Sequence, residues 1–555
     1  MRYISGIFVA IVMLASTTVL SAQEHKRVEV TKNYMHEVAP AQKMVAPTTI
    51  TDAPEIEPEI KYNVNPETWQ IELEDHNFNP ATASYWDYNY AEPLYTRLAV
   101  GYPLVSDVAV RYAKHNTRLG YFGVGVEHKG DFYPMANAMG VMQSIANSYS
   151  MSNRINVDGG VMAGRQMFSA RADYDFSIKN RYAEVTTPNR LFFHDANLNL
   201  RYGDDFADLS RINFGVEAQG GYWSGCIPTV EGVNYGELSA EVGLDVARDF
   251  QGNIVGINAG FGLWQSDKQT NYRDMAVNLG VSYARSFGII GVEAEVGYMF
   301  DKVSGRAKPS HFFLPALKVD FDFGKIGIIP FVELQTNITH NTIESLYKAN
   351  PYIDYMPMQG AFNTMASTRS YDLYIGIKGS DRSSKVAYRL YLGGNFMRDQ
   401  MLWYVNEMGT FGFTQDDNNR LFASLECEYH PIGGLKLAAS ARAHMDNTKS
   451  AYAVADSKVT AGLLAEYRMK RWVFNISGDF RSARRWSGVM NEDGSVPVAF
   501  KAPAAFDLKA NIAFKVTNSI EAYIDGANLL NQKIYDYAHY YNRGVGFMVG
   551  VKMDF

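Results

Sequence analysis

The sequence has little cysteine, no excess of positive charge and no long apolar stretch beyond its first twenty residues. Among 555 residues only Cys226 and Cys427 are cysteines, which excludes a fold held together by a framework of disulfides. The formal net charge of -7 excludes a strongly basic face for nucleic acid. After the N-terminus no apolar run approaches the ~20 residues that a membrane-spanning helix needs. Any membrane crossing must therefore use strands.

Recognisable catalytic and metal-binding motifs are also lacking. The chain contains no HExxH, CxxC, Walker A or GxSxG element, and none of its eleven histidines stands in a nucleophile motif. The acidic groups Asp204-Asp205 with Asp208, and Asp416-Asp417, lack the regular ligand spacing of a calcium loop. We therefore expect no enzymatic activity, no resident metal and no cofactor.

The first 93 residues differ in character from the rest of the chain. Arg2, an apolar run from Ile7 to Leu20 and the small residues Ser21 and Ala22 predict a cleaved signal peptide over residues 1–22, and hence export. Residues 23–93 are rich in proline and acidic residues and show no sustained alternation. This composition predicts an extended periplasmic strap, because such a segment cannot bury enough apolar surface to fold by itself.

From Leu94 to Phe555 the chain consists of short runs in which apolar and polar residues alternate. In the last run, Phe547, Val549 and Val551 share one face, and Lys552 and Asp554 fall on the other. Alternation with a period of two indicates strands that present one apolar and one polar face. We count about 22 such runs, so residues 94–555 are predicted to form one all-β domain.

The lengths of the connections between the runs distinguish a membrane barrel from a soluble β-sandwich. Even-numbered connections are mostly short, whereas several odd-numbered ones are long, notably residues 131–154, 339–369, 400–419 and 483–503. Outer-membrane barrels have short periplasmic turns and long external loops, with an apolar outer face and a polar lumen. The sequence therefore predicts a transmembrane antiparallel β-barrel of about 22 strands, with an extended N-terminal periplasmic segment and its outer face in contact with outer-membrane lipid.

The C-terminal segment resembles a known family. The run Ala527-Asn528-Leu529-Leu530-Asn531-Gln532 and the final strand ending at Phe555 are similar to the closing segment of TonB-dependent receptor barrels. This resemblance implies a 22-stranded outer-membrane barrel, and a C-terminal aromatic residue presented to the barrel-assembly machinery. The close match covers roughly the last fifty residues, and the remaining barrel matches in pattern only.

One feature departs from that family. Its full members carry a folded N-terminal plug, but only the short, Pro-rich strap precedes the first strand here. The chain therefore looks like the plugless receptor-like barrels of Bacteroidota. This departure puts energised, TonB-driven import in doubt for the chain. A wide lumen must then be filled by the strap, by the external loops or by another protein.

The first functional hypothesis is transport, through a receptor-like or porin-like conduit for a solute. Selectivity would come from charged side chains on the polar face of the strands, whose signs are mixed. The candidate lumen-lining residues are Glu241, Asp245, Glu293, Glu295, Lys436, Arg442, Asp479 and Arg481.

The alternative is a structural or assembly scaffold in an outer-membrane complex. A periplasmic protein or a surface lipoprotein would be its partner, and the loop residues Tyr352, Tyr355, Met356 and Met358 are the candidate contact, since aromatic and Met side chains are favoured in interface cores. The same residues could instead fold inward over the barrel mouth.

Overall fold

The computed structural model describes residues 93–116, 120–183, 190–227, 233–266, 272–324, 327–381, 383, 385–406 and 409–555. The predicted signal peptide, and the predicted strap up to residue 92, lie outside the described residues. The first strand begins at Leu94.

Twenty-two of the strands form one antiparallel barrel. In chain order the first eleven are Leu94–Tyr102 (β1), Val105–Asn116 (β2), Gly120–Asp131 (β3), Ser150–Ala163 (β4), Gln166–Asn180 (β5), Arg190–Gly203 (β6), Asn213–Ile227 (β7), Val233–Asp249 (β8), Ile254–Ser266 (β9), Tyr272–Phe287 (β10) and Ile290–Lys302 (β11). The others are Ser310–Phe321 (β12), Ile329–Thr339 (β13), Thr368–Ser380 (β14), Val386–Val405 (β15), Phe411–Tyr429 (β16), Leu435–Thr448 (β17), Val459–Met469 (β18), Trp472–Arg481 (β19), Ala505–Lys515 (β22), Ile520–Ala527 (β23) and Gly546–Asp554 (β26).

The barrel is closed by its first and last strands. β1 pairs with β2 on one side and with β26 on the other, in a register that joins Leu98 to Val551. Leu94 and Phe555 exchange two backbone hydrogen bonds, of 2.7 and 2.8 Å, at the end of this seam. Closure leaves the barrel no free sheet edge. The predicted all-β fold, the antiparallel barrel and the count of 22 strands are confirmed.

Side chains alternate between a lipid-facing exterior and the lumen. On β10, Leu279 and Val281 point outward and stay 55% and 54% exposed, whereas Asn278 and Ser282 point inward. On β5, Phe168 and Tyr174 point outward, opposite the inward Arg171. Outward apolar side chains with this exposure recur all around the barrel. A water-soluble protein rarely exposes so large an apolar surface, so lipid must cover it.

Short turns and long loops alternate between the two ends of the barrel as predicted, except at one predicted loop. Residues 164–165, 288–289 and 470–471 are tight turns at one end, whereas residues 132–149, 340–367, 482–504 and 528–545 form long loops at the other. The prediction of a loop at residues 400–419 was wrong. β15 and β16 continue through this range and pair up to Val405 and Phe411, past a bulge between Met397 and Gln400.

The long loops contain the remaining regular elements. These are the helices Ile145–Ser148 (α1), Ile343–Ala349 (α2) and Tyr355–Phe362 (α3), and the short strands Arg484–Ser487 (β20), Val498–Ala502 (β21), Tyr535–Tyr537 (β24) and Tyr540–Tyr541 (β25). None of the helices in the described ranges is long and apolar enough to cross a membrane.

Candidate functional site: a vestibule under the external loops

The loop between β13 and β14 folds into the outer half of the barrel. Its helix α2 begins with a capping box, in which the Thr342 hydroxyl accepts from the Ser345 backbone N–H and the Ser345 hydroxyl accepts from the Thr342 backbone N–H. The spacing of Ile343, Leu346 and Tyr347 places these three side chains on one face of the helix, and all three are buried. This apolar face anchors the loop to the inside of the barrel.

Tyr347 packs against three aromatic side chains of the barrel wall. Its ring lies 4.9 Å from the ring of Tyr235, 5.5 Å from that of Trp223 and 5.8 Å from that of Phe193, between centroids. These partners are inward residues of β8, β7 and β6, so one side chain joins the loop to three strands of the wall. Only 3% of Tyr347 is exposed.

The N-terminus of α2 meets a buried carboxylate of the wall. Glu237 accepts hydrogen bonds from the Tyr272 hydroxyl at 2.5 Å and from the Glu344 backbone N–H at 3.2 Å. The bond from Glu344 joins the first turn of α2 to strand β8. Burial raises the pKa of Glu344 in the same turn, although Lys348 opposes the shift.

A second cluster holds the two ends of the loop together. His340 at the start contacts Ser367 at the end, with 2.9 Å between Nδ1 and Oγ, and Ser367 donates to Asp301 at 2.6 Å. His340 also lies 3.6 Å from Asp274 and stacks on Trp264 at 4.1 Å. The Ser-His-Asp composition resembles a hydrolytic triad. His340 and Ser367 are 3% and 1% exposed, so no substrate can reach them, and the cluster positions the loop.

Other external loops converge on Tyr352, which follows α2. Its ring stacks on that of Tyr540 at 3.6 Å, and its carbonyl accepts from the Phe411 backbone N–H at 2.9 Å. Burial raises the pKa of the Tyr352 hydroxyl above its ordinary range. Arg181 donates to the Ile353 carbonyl at 2.8 Å. We call residues 132–149, 340–367 and 528–545 the roof, since together they cover much of the outer end of the barrel.

A cavity of about 690 Å³ lies between the roof and the inner face of β3 to β7. We call it the vestibule. Its aromatic lining comes mostly from the roof, and its polar lining includes the serines Ser150, Ser152 and Ser177 on the wall. The tyrosines that line it are Tyr133, Tyr182, Tyr347, Tyr352, Tyr537, Tyr540 and Tyr541. This volume suits a small-molecule ligand, for which aromatic surface and a few placed polar groups are the usual lining.

Most of the charged side chains in the vestibule neutralise one another. Arg154 pairs with Asp175 at 2.7 Å, and Arg543 with Asp131 at 3.2 Å. Lys348 lies 2.6 Å from Asp195 and 2.5 Å from Glu344. Burial lowers the pKa of Lys348, but the two carboxylates outweigh it and raise that pKa above the ordinary range. Arg154 and Lys348 keep 49% and 45% of their side chains exposed, so the vestibule opens to solvent inside the barrel.

The eight lumen-lining candidates all lie on inward faces but do not form one site. On β8 and β11, Glu241 is buried, Asp245 lies four residues further along, Glu293 contacts Lys318 at 3.4 Å and Glu295 accepts from Asn258 at 2.8 Å. Across the barrel, Lys436 pairs with Glu428, Arg442 lies over the Phe422 ring, Asp479 pairs with Lys509 and Arg481 pairs with Asp536. None of the eight lines the vestibule.

The loop-contact candidates belong to the roof. Tyr352 is turned towards Tyr540, and the Met358 sulfur accepts from the Tyr404 hydroxyl at 3.7 Å. The side chains of Tyr355 and Met356 lie outside what the structure describes. The sequence left two alternatives for this loop, contact with a partner protein or folding inward over the barrel mouth. The contacts of Tyr352 and Met358 are of the second kind.

Four of the family-motif residues, Asn528 to Asn531, form a turn at the outer end of β23, whereas Phe555 ends the chain beside Leu94. Asn528 and Asn531 adopt positive φ angles of 47° and 52°, which Asn tolerates better than most residues. The Asn528 amide donates to the Gln532 and Arg543 carbonyls at 2.7 and 3.0 Å, which ties the two ends of loop 528–545 together. Leu529 bonds to the Leu508 carbonyl, and Leu530 and Phe555 stay 47% and 50% exposed.

Neither cysteine is bonded, and no metal centre is evident in the described part of the chain. Cys226 and Cys427 are free. Within the described ranges no group of three or more His, Cys, Asp or Glu residues is arranged to hold a metal ion. The acidic group at Asp204 is a structural contact, since Asp204 pairs with Arg165 at 2.9 Å and accepts from the Phe214 backbone N–H.

Comparison with known proteins finds similar structures but no similar sequence. No protein-family model and no curated protein matches the chain. The FrpB iron transporter from Neisseria meningitidis (F3-3 variant) has a TM-score of 0.68 at 11% identity, over 84% of this chain and 82% of that chain. The copper transporter OprC has a TM-score of 0.64 at 12% identity, with coverages of 84% and 82%. The ferripyoverdine receptor of the outer membrane of Pseudomonas aeruginosa has a TM-score of 0.59 at 11% identity, with coverages of 84% and 72%. The fold is thus that of TonB-dependent receptor barrels, and the similar structures are transporters and receptors.

Proposed function

We propose that this chain is an outer-membrane conduit that admits a small solute through the vestibule, and that it works as a receptor-like barrel of the plugless type. The observation that carries the proposal is the roof. Part of the chain itself, anchored by α2, narrows the outer end of a wide barrel and leaves a lined cavity of about 690 Å³. A scaffold would need neither a cavity of this kind nor a solvent-filled interior.

Two further observations support a conduit. Beyond the roof, inward side chains keep large exposed fractions, including 57% for Arg171, 51% for Asp479 and 46% for Lys509. Among the described residues, therefore, no segment fills the lumen at these positions. The similar structures are named as transporters and as a receptor. The segment that suggested a scaffold makes contacts within its own chain through Tyr352 and Met358.

The test is transport by the purified barrel without an energy source. The full chain and a variant lacking residues 23–93 are reconstituted into liposomes and planar bilayers, and uptake of neutral and charged solutes is measured beside conductance. We expect selective uptake with small conductance from the full chain, and larger conductance from the shortened chain if the strap contributes to closure. Absence of any solute flux from both proteins, or a large non-selective pore in the full chain, would overturn the proposal.

A further inference from the structure

The vestibule contains one cation that differs from the others. Lys179 lies at the outer end of β5, on the same face as Ser177 and Asp175. Among the described residues, its ammonium group has no carboxylate within ion-pair distance and no hydrogen-bond partner. The other three cations of the vestibule, Arg154, Lys348 and Arg543, each pair with a carboxylate.

The position of Lys179 in the sheet explains why its ammonium has no carboxylate partner among the described residues. Asp175 lies four residues before Lys179, about 13 Å along the strand at ~3.3 Å per residue, and it is already paired with Arg154. On the neighbouring strand β6, the residue opposite Lys179 is Leu191, which is fully buried and apolar. Lys179 thus lies beside an apolar residue of the wall and lines the cavity.

Three hydroxyl groups line the vestibule together with this ammonium. Ser152 and Ser177 are direct partners across β4 and β5, and Ser150 is the first residue of β4 on the same face. In the part of the chain that the structure describes, none of these three side chains makes a hydrogen bond to protein. We call Lys179, Ser150, Ser152 and Ser177 the Lys179 patch. It offers one positive charge and several hydrogen-bond donors to the same region of the vestibule.

We propose that the conduit is selective for anionic organic solutes, whose carboxylate or similar group binds the Lys179 patch while a flat or CH-rich face lies against the tyrosines of the roof. This inference rests on the proposed function and names its substrate class. A carboxylate at the patch gains a charge-assisted hydrogen bond from the ammonium and ordinary ones from the hydroxyls. A neutral solute of the same shape can accept hydrogen bonds from these groups but gains no attraction between opposite charges. Tyr133, Tyr537 and Tyr541 of the roof line the same cavity, are only partly buried and supply the aromatic surface.

The experiment compares two probes of the same size. 4-Nitrophenyl β-D-glucuronide and 4-nitrophenyl β-D-glucoside both carry an aromatic ring and a sugar, and they differ in one carboxylate. Binding to the purified full chain in detergent is followed by tryptophan fluorescence or calorimetry, and uptake is followed in proteoliposomes. We expect the glucuronide to bind about tenfold more tightly than the glucoside, a difference of about 1.4 kcal/mol.

Variants test whether the preference for the glucuronide comes from Lys179. Lys179→Gln should remove the preference for the glucuronide over the glucoside, and Lys179→Arg should retain that preference. The matched control is Lys509→Gln, which removes a lumen cation outside the vestibule that pairs with Asp479 and Asp507. It should not alter the preference.

The outcomes separate the two proposals. Equal binding and equal uptake of both probes by the unaltered protein would overturn the anion inference and leave the conduit standing. The same holds if Lys509→Gln abolishes the preference as fully as Lys179→Gln, because the selectivity would then come from the general charge of the lumen. If neither probe, nor any other solute tested, crosses the membrane, both proposals fail.

Discussion

Replacing Tyr347 by Ala should release the roof. The ring is 3% exposed and contacts the rings of Phe193, Trp223 and Tyr235. Truncation of a buried aromatic residue to Ala typically costs 3–5 kcal/mol. If about 3 kcal/mol of this cost falls on the docked form of the loop, the ratio of released to docked loop rises roughly 100-fold, at 1.4 kcal/mol per factor of ten.

The assay is single-channel recording in planar bilayers, together with protease added to intact cells. Tyr347→Ala should spend much more time in a high-conductance state, and residues 340–367 should become cleavable. Phe261→Ala is the matched control, because it removes a ring on the lipid-facing side of β9 that is 42% exposed. If Tyr347→Ala behaves like the unaltered protein in both assays, then the α2 contact does not control access to the lumen.

Two further predictions concern the docked loop and the two faces of the barrel wall. Burial raises the pKa of Glu344, so this group stabilises the docked loop fully below its unfolded-chain pKa of about 4.3, and the stabilisation is lost as the pH rises through the raised pKa. Open events should therefore be rarer at pH 4.5 than at pH 7.5, and Glu344→Gln should make that difference smaller; an unchanged pH profile in Glu344→Gln would contradict this. On the lipid-facing side of β10, Leu279→Lys should destabilise the barrel by about 2–4 kcal/mol if the site is near the membrane midplane, whereas Ser440→Lys on the wet face of β17 should be tolerated. Urea unfolding in liposomes measures the stability of the two variants. Equal stabilities would contradict the assignment of Leu279 to the lipid-facing side and Ser440 to the lumen side.

Much of the barrel could be predicted from the sequence because its determinants are local. The alternation of Leu279 and Val281 with Asn278 and Ser282 is visible in the chain, and lipid on one side with water on the other forces that pattern onto the strands. The count of 22 strands follows from repeating this reading along the chain. The error at residues 400–419 has a physical reason. Polar residues such as Asp416 and Asn418 suggest a loop, but here β15 and β16 extend beyond the apolar belt, where polar side chains are compatible with a strand.

The vestibule could not be predicted, because it depends on contacts between distant parts of the chain. Tyr347 shows helical spacing with Ile343, but no local pattern reveals that Trp223 and Tyr235 are its partners. Lys179 looks like any lumen-facing cation on an alternating strand. It differs from the other vestibule cations because its ammonium has no partner among the described residues. Only the structure shows this, since it shows that the nearby Asp175 is already paired with Arg154. The charged residues chosen from the alternation therefore lie on the lumen wall, but none of them lines the vestibule.

The proposed conduit depends on a wall one strand thick that separates lipid from a water-filled lumen, and cysteine labelling tests this most directly. In a background with Cys226 and Cys427 replaced by Ser, Arg171→Cys and Tyr174→Cys place single thiols on the two faces of β5, where the native side chains are 57% and 41% exposed. The reconstituted variants are treated with a water-soluble, membrane-impermeant maleimide. We expect the thiol at position 171 to be labelled and that at position 174 to be protected by lipid. Equal labelling of both, or labelling of position 174 alone, would contradict the barrel as a membrane-spanning conduit.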